Sequence, residues 1–219
     1  METLVIATSN PGKLEEIAGY CREQQIDVVI FDDELSPSQT RNIEKAVPDT
    51  LKCLADYPQM VAPNETGRTF AANAKLKAGY YAKNLHEYCL ADDSGLEVKA
   101  LDGAPGVHSA RFAGEEATDA ENNALLLQQM KFQVSRVCRF RCALALSDPE
   151  GRIIAESDGT CEGMLLHEPM GENGFGYDPL FWSTELHKGL GEATAEEKNK
   201  ISHRGKAVKK LVANWKKIR

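Results

Sequence analysis

Four stretches of the chain carry residue types and spacings that could do chemistry. The first is Thr8-Ser9-Asn10-Pro11-Gly12-Lys13, where a short apolar run stops and a helical pattern starts. Unpaired N–H groups at a helix start, with a lysine one turn in, suit an anion. The segment lacks the GxxxxGK[ST] spacing of a Walker A loop, and a well-capped helix with a surface lysine would read the same. The second stretch is Asp92-Asp93-Ser94-Gly95, predicted to follow a short strand directly. Two carboxylates there suit a hard cation such as Mg²⁺, or a base that activates water. Neighbouring strand residues face opposite ways, so one of the two is expected at a site centre. An acidic turn in solvent is the plainer alternative.

The third stretch is Gly171-Glu172-Asn173-Gly174-Phe175-Gly176-Tyr177-Asp178-Pro179. Its glycines let backbone approach a flat ligand, Phe175 offers a stacking face, and a buried Asp178 could accept ring N–H groups. A glycine loop whose aromatics plug the core fits equally well. The fourth is Lys198 with Ser202-His203-Arg204, where two basic residues open the last helix. Positive charge at that end opposes the helix dipole, which favours an anion or a base contact over a stabilising role. His86, His108, His167 and His187 stand isolated and read as surface or core residues.

These candidates need a scaffold, and the pattern supplies one. Thr3 to Thr8 reads as a buried strand, a helix follows with Leu14, Ile17, Ala18 and Cys21 on one face, and Ile26 to Phe31 is a second strand. Asn10 and Pro11 suit the helix cap and first turn. Residues 33–64, with four prolines, read as an excursion holding one short helix over about 41–56. A helix is predicted from Thr69 to Leu85, then short strands at Cys89–Ala91 and Leu96–Leu101. The glycine-rich stretch 102–117 is irregular. Thr118-Asp119-Ala120-Glu121 is a capping box for a helix reaching about Phe132. Arg136 to Leu146 alternates, Asp148–Gly151 turns, and strands follow at Arg152–Ser157 and about 159–166. Ser202 caps a final helix with Val208, Leu211, Val212 and Trp215 in one stripe. The expected fold class is α/β, with a mixed, strongly twisted sheet flanked by helices.

The 219 residues are 42% hydrophobic and 27% charged, an ordinary globular balance that allows one large or two small domains. A formal charge of −7 argues against a broad basic surface for nucleic acid, so any anion site must be a local cluster of cations. No apolar run is long enough for a membrane span, and Met1-Glu2-Thr3-Leu4-Val5 lacks the features of a secretory leader. Six scattered cysteines without zinc spacing suggest reduced structural thiols in a cytoplasmic protein.

In their order along the chain, these segments resemble the inosine triphosphate pyrophosphatase family. The matching motifs are Ser9-Asn10-x-x-Lys13, Ala91-Asp92-Asp93-Ser94-Gly95-Leu96, Gly103-Ala104-Pro105-Gly106 with Ser109-Ala110-Arg111, Gly174-Phe175-Gly176-Tyr177-Asp178-Pro179 and Ser202-His203-Arg204. The resemblance runs from Val5 to about Ala207. It implies a single domain over 1–219, two lobes around a central cleft that takes the substrate, and a homodimer. It also implies Mg²⁺-dependent hydrolysis of ITP, dITP and XTP to monophosphate and pyrophosphate. By the same resemblance Thr8 to Lys13 hold the triphosphate and Lys77 reaches the phosphates. Asp93 binds metal, with Asp92 as a second metal carboxylate, and acts as general base. Ser94 touches substrate, Phe175, Gly176, Tyr177 and Asp178 meet the purine, and Lys198, His203 and Arg204 complete the base pocket.

Two departures stand out. The family pattern after Phe70 carries a metal-binding glutamate where this chain has Ala72, so Asp92 or Glu65 must substitute or turnover must fall. The stretch of about 33–63 is extra length without an assigned role. Two competing expectations follow: a catalytically attenuated nucleotide-binding protein, and a Maf-like pyrophosphatase for other modified nucleotides. The pairing of Phe175 and Asp178 with Ser202-His203-Arg204 speaks against the latter.

Overall fold

A computed structural model describes residues 4–7, 16–17, 28–31 and 60–218. The Thr8–Lys13 segment, residues 33–59 of the 33–63 stretch, Cys21 and Cys53 lie outside the described residues.

The described elements are β1 (Leu4–Ala7), β2 (Val28–Phe31), α1 (Phe70–Leu85), β3 (Tyr88–Val98), α2 (Asp119–Gln129), β4 (Val137–Ser147), β5 (Ile153–Leu165), β6 (Phe181–Ser183), β7 (Lys188–Gly189), α3 (Ala195–Ile201) and α4 (His203–Ile218). Strand order is β2-β1-β3-β4-β5-β6-β7. β1 runs parallel to β2 and β3, with Leu4 opposite Val28 and Tyr88, whereas β5, β6 and β7 pair antiparallel. The expected mixed α/β class holds.

The chain forms two compact units. One comprises 1–93, 143–158 and 207–219; the other comprises 94–142 and 159–206. In the first, Thr69 caps α1 by accepting from Ala72 N, and Ala74, Ala78 and Ala82 make a fully buried small-residue stripe. The stripe lets the helix approach closely: a Cβ on Gly79 would stand 3.1 Å from the Gly151 carbonyl oxygen in the β4–β5 turn. In the second, α2 carries the expected capping box between Thr118 and Glu121. Its core joins Leu96, Val98, Leu126, Phe140, Leu180 and Phe181, among others.

Two expectations fail in the same way. Asp92–Gly95 is not a turn between short strands; it lies inside the single eleven-residue strand β3. Gly95 is required there by a close approach, since a Cβ would fall 2.6 Å from the Gly106 carbonyl oxygen and 2.2 Å from Ser109 Oγ. The Ser109 hydroxyl oxygen meanwhile accepts the Leu96 N–H at 2.9 Å. Likewise Asp158 does not separate two strands, because β5 runs unbroken from Ile153 to Leu165. Glycine in a strand often marks such proximity and not a break.

Candidate functional site

In the first unit the chemistry gathers where α1 meets β3. Asn73 and Lys77 are four residues apart and therefore share a helix face. Asn73 Nδ2 donates to Asp93 Oδ2 at 3.1 Å, and Lys77 Nζ donates to Asp93 Oδ1 at 3.3 Å. Lys77 also donates to Glu65 Oε1 at 2.9 Å. Asn73 is itself oriented, because its Oδ1 accepts the Gly67 N–H at 2.7 Å. Both β3 carboxylates are buried, Asp92 at 1% exposure and Asp93 at 6%. Burial by itself would lower the Lys77 pKa, but the charges of Asp93, Asp92 and Glu65 outweigh it and the ammonium is held well above its ordinary value.

Among the described residues no group of three or more His, Cys, Asp or Glu side chains is placed to hold a metal ion. Glu65 and Asp93 nevertheless share one ammonium, which puts two hard oxygen donors on a common charge. Glu65 and Asp93 are the two carboxylates that could hold a divalent cation at this point of the unit. Ala72 sits exposed in the first turn of α1 and offers nothing to it.

In the second unit the aromatic loop is built around a buried carboxylate. Asp178 Oδ2 accepts the Phe175 N–H at 2.8 Å and the Lys198 ammonium at 2.7 Å. Gly174, at φ +80°, leaves room for that carboxylate; a Cβ would lie 2.2 Å from the same oxygen. Two cations flank the Phe175 ring, Lys198 Nζ at 4.5 Å and the Arg204 guanidinium carbon at 5.4 Å from its centroid. Arg204 Nη2 also donates to Ser94 Oγ at 2.9 Å, so the residue following Asp93 is tied to the cations of this loop. Ser202 Oγ accepts the Gly205 N–H at 3.0 Å, capping α4 as expected.

His203 is buried and stacks on Phe140 with centroids 5.0 Å apart. Tyr177 is buried as well. Its hydroxyl donates to the Ser109 carbonyl at 2.8 Å, and burial pushes the phenol pKa up. The structure therefore brings together Asp93, Lys77 and Asp92 in one unit, and Ser94, Phe175, Asp178, Lys198 and Arg204 in the other. Asn73 escaped sequence reasoning, although its helical spacing to Lys77 was a usable signal.

The Ham1 family model matches residues 4–214, so the chain belongs to the Ham1 family. It is 46% identical over 210 residues to a dITP/XTP pyrophosphatase of Exiguobacterium sp., covering 96% of this chain and 95% of that protein. It is 43% identical over 220 residues to one from Geobacillus kaustophilus, covering 100% and 96%. The solved structure of the Staphylococcus aureus Ham1 protein superposes with a TM-score of 0.78 at 33% identity, over the full length of both chains.

Proposed function

We propose that this chain is a hydrolase that cleaves non-canonical purine nucleoside triphosphates, dITP, ITP and XTP, to monophosphate and pyrophosphate. The observation that carries this reading is Asp93, a buried carboxylate fixed by Asn73 and Lys77 in a chain whose relatives are named for that activity. Two donors hold Asp93 in a single orientation, which suits a base that must aim one water. In the proposed step, the water oxygen bonds to the α-phosphorus and its proton passes to Asp93. The α–β bridging P–O bond breaks, and its electrons leave with pyrophosphate. Lys77 neutralises charge on the phosphates, and Thr8, Ser9, Asn10, Pro11, Gly12 and Lys13 are proposed to cradle the rest of the chain of phosphates.

Glu65 and Asp93 would hold Mg²⁺, which when bound would offset the polyphosphate charge. Glu65 answers the departure at Ala72: the missing helix carboxylate is matched by one from the segment preceding α1. That geometry, together with the relatives' names, favours turnover over attenuated binding. The purine is proposed to lie on Phe175, with Gly176, Asp178, Lys198, His203 and Arg204 around it and Ser94 at its sugar-phosphate side. A site built to pair a 6-oxo group leaves its donors unmet by adenine and so rejects it.

We further propose that residues 1–219 act as one domain, since Asp93 and Ser94 are consecutive yet belong to the two units, and that the protein is a cytoplasmic homodimer. Among the described residues no helix is long and apolar enough to cross a membrane. Pyrophosphate release from dITP, ITP and XTP, set against ATP and GTP, with Mg²⁺ and with chelator, tests the reading. Rapid, metal-dependent release from the first three supports it. Equal rates on all five nucleotides would remove it.

A further inference from the structure

The position of the Phe175 ring depends on a peptide held from outside its own loop. Gly176 follows Phe175 at φ +59°, a conformation that costs other residues energy and that glycine adopts freely. Both polar groups of this residue are bound by α2. The Gly176 N–H donates to Asp119 Oδ2 at 2.6 Å, and Asn123 Nδ2 donates to the Gly176 carbonyl at 2.9 Å. Asp119 and Asn123 are spaced i and i+4, so one helix face presents an acceptor and a donor to one residue. The Gly176 N–H thus donates to a carboxylate oxygen, a charge-assisted bond of the short kind.

The capping box does not need either residue. Thr118 and Glu121 satisfy it between themselves. Asn123 is a poor choice for stability alone. Its Oδ1 is buried and accepts no hydrogen bond from the described residues, and a buried acceptor left so is costly. Its Nδ2 bond to Gly176 is what the residue supplies.

We infer that Asp119 and Asn123 are positioning residues for the base-binding loop: by clamping Gly176 they fix the plane of Phe175, and with it the affinity and selectivity for the purine. The inference rests on the proposal that the purine stacks on Phe175. Neither side chain is assigned contact with substrate; each acts through the Gly176 backbone. A loosened loop should weaken binding of nucleotide while leaving the phosphate chemistry at Asp93 alone, so KM should move and kcat should not.

The test is steady-state kinetics on ITP, XTP and GTP for Asp119→Ala, Asn123→Ala, Asp119→Asn and Phe175→Leu, with thermal unfolding measured alongside. Loss of one charge-assisted hydrogen bond predicts a KM for ITP raised about tenfold in Asp119→Ala, and less in Asn123→Ala. The preference for ITP over GTP should narrow and kcat should hold within about twofold. Asp119→Asn keeps an acceptor oxygen and should restore most of the KM, which a purely dipolar role for an acid at the helix start would not. If Asp119→Ala and Asn123→Ala lower the melting temperature but leave KM and selectivity unchanged, the clamp is structural and the inference fails. If Phe175→Leu also leaves KM unchanged, the stacking proposal itself fails. If Phe175→Leu raises KM while the two α2 variants do not, only the clamp is wrong.

Discussion

Replacing Lys198 with methionine should destabilise this protein by about 3–5 kcal/mol, because it strands a buried carboxylate. The Lys198–Asp178 pair is 2.7 Å long, with the two side chains only 8% and 3% exposed. Water is thus largely excluded from Asp178 and cannot replace the lost ammonium. The Phe175 N–H would still donate to Asp178 Oδ2, which keeps the loss near that range and not above it. Methionine approximates the length of the lysine stem, so no large cavity adds to the cost. Asp178→Asn alone leaves Lys198 buried beside a neutral amide and should also be costly. Combining Lys198→Met with Asp178→Asn removes both charges while keeping an acceptor for Phe175, and should recover about 2 kcal/mol relative to the sum of the single changes. Urea unfolding of the four proteins measures this, read from midpoints at constant m-value. A single-variant loss below about 1 kcal/mol, or strict additivity in the double variant, would show that the pair is effectively solvated and refute the reasoning.

Other outcomes follow from the same structure. Asn73→Ala should lower kcat by about tenfold, since Asp93 keeps Lys77 but loses the Asn73 donor; an unchanged single-turnover rate would contradict that role. Glu65→Gln should raise the Mg²⁺ concentration needed for half-maximal activity, by about tenfold if Glu65 is a ligand, and an unaltered metal titration would remove it from the metal site. Gly95→Val should cost about 3 kcal/mol or more, because its branches would enter the space held by the Gly106 carbonyl and Ser109 Oγ; circular dichroism melting checks it. Stability should fall at alkaline pH. Burial raises the Cys161 thiol to about 11 and the Cys138 thiol to about 12, so these groups stay protonated in the fold where the unfolded chain ionises near 9.0. Their contribution is complete below pH 9.0 and is lost as pH rises toward those values, at a slope of about 1.4 kcal/mol per pH unit per thiol. Cys161→Ala should flatten part of that decline in pH-dependent melts.

Local pattern revealed most of the helix starts. Thr69 before an apolar 3–4 repeat marked α1, and Thr118 with Glu121 marked α2, because caps and helix faces are written within four residues. The same signature at Thr194 and Glu197 starts α3, in a stretch left unassigned by periodicity. Glycine misled where it serves packing: Asp92-Asp93-Ser94-Gly95 reads as a break between two strands, yet β3 runs through it. Asp93 and Lys77 were visible as chemically apt types. Their partnership with Asn73 and Glu65 was not, since it depends on how α1 and the preceding segment are laid against β3, across separations of 12 to 20 residues. The Gly176 clamp spans more than fifty residues and leaves no local trace.

The most direct measurement is a paired one on Asp93→Asn: ITP binding by calorimetry with Mg²⁺ present, and pyrophosphate release under saturating ITP. Retained binding with release slowed by about 10²–10⁴-fold is the result expected of a positioned base. Release within about threefold of the parent enzyme, with binding intact, would place the proton-accepting group elsewhere and contradict the mechanism.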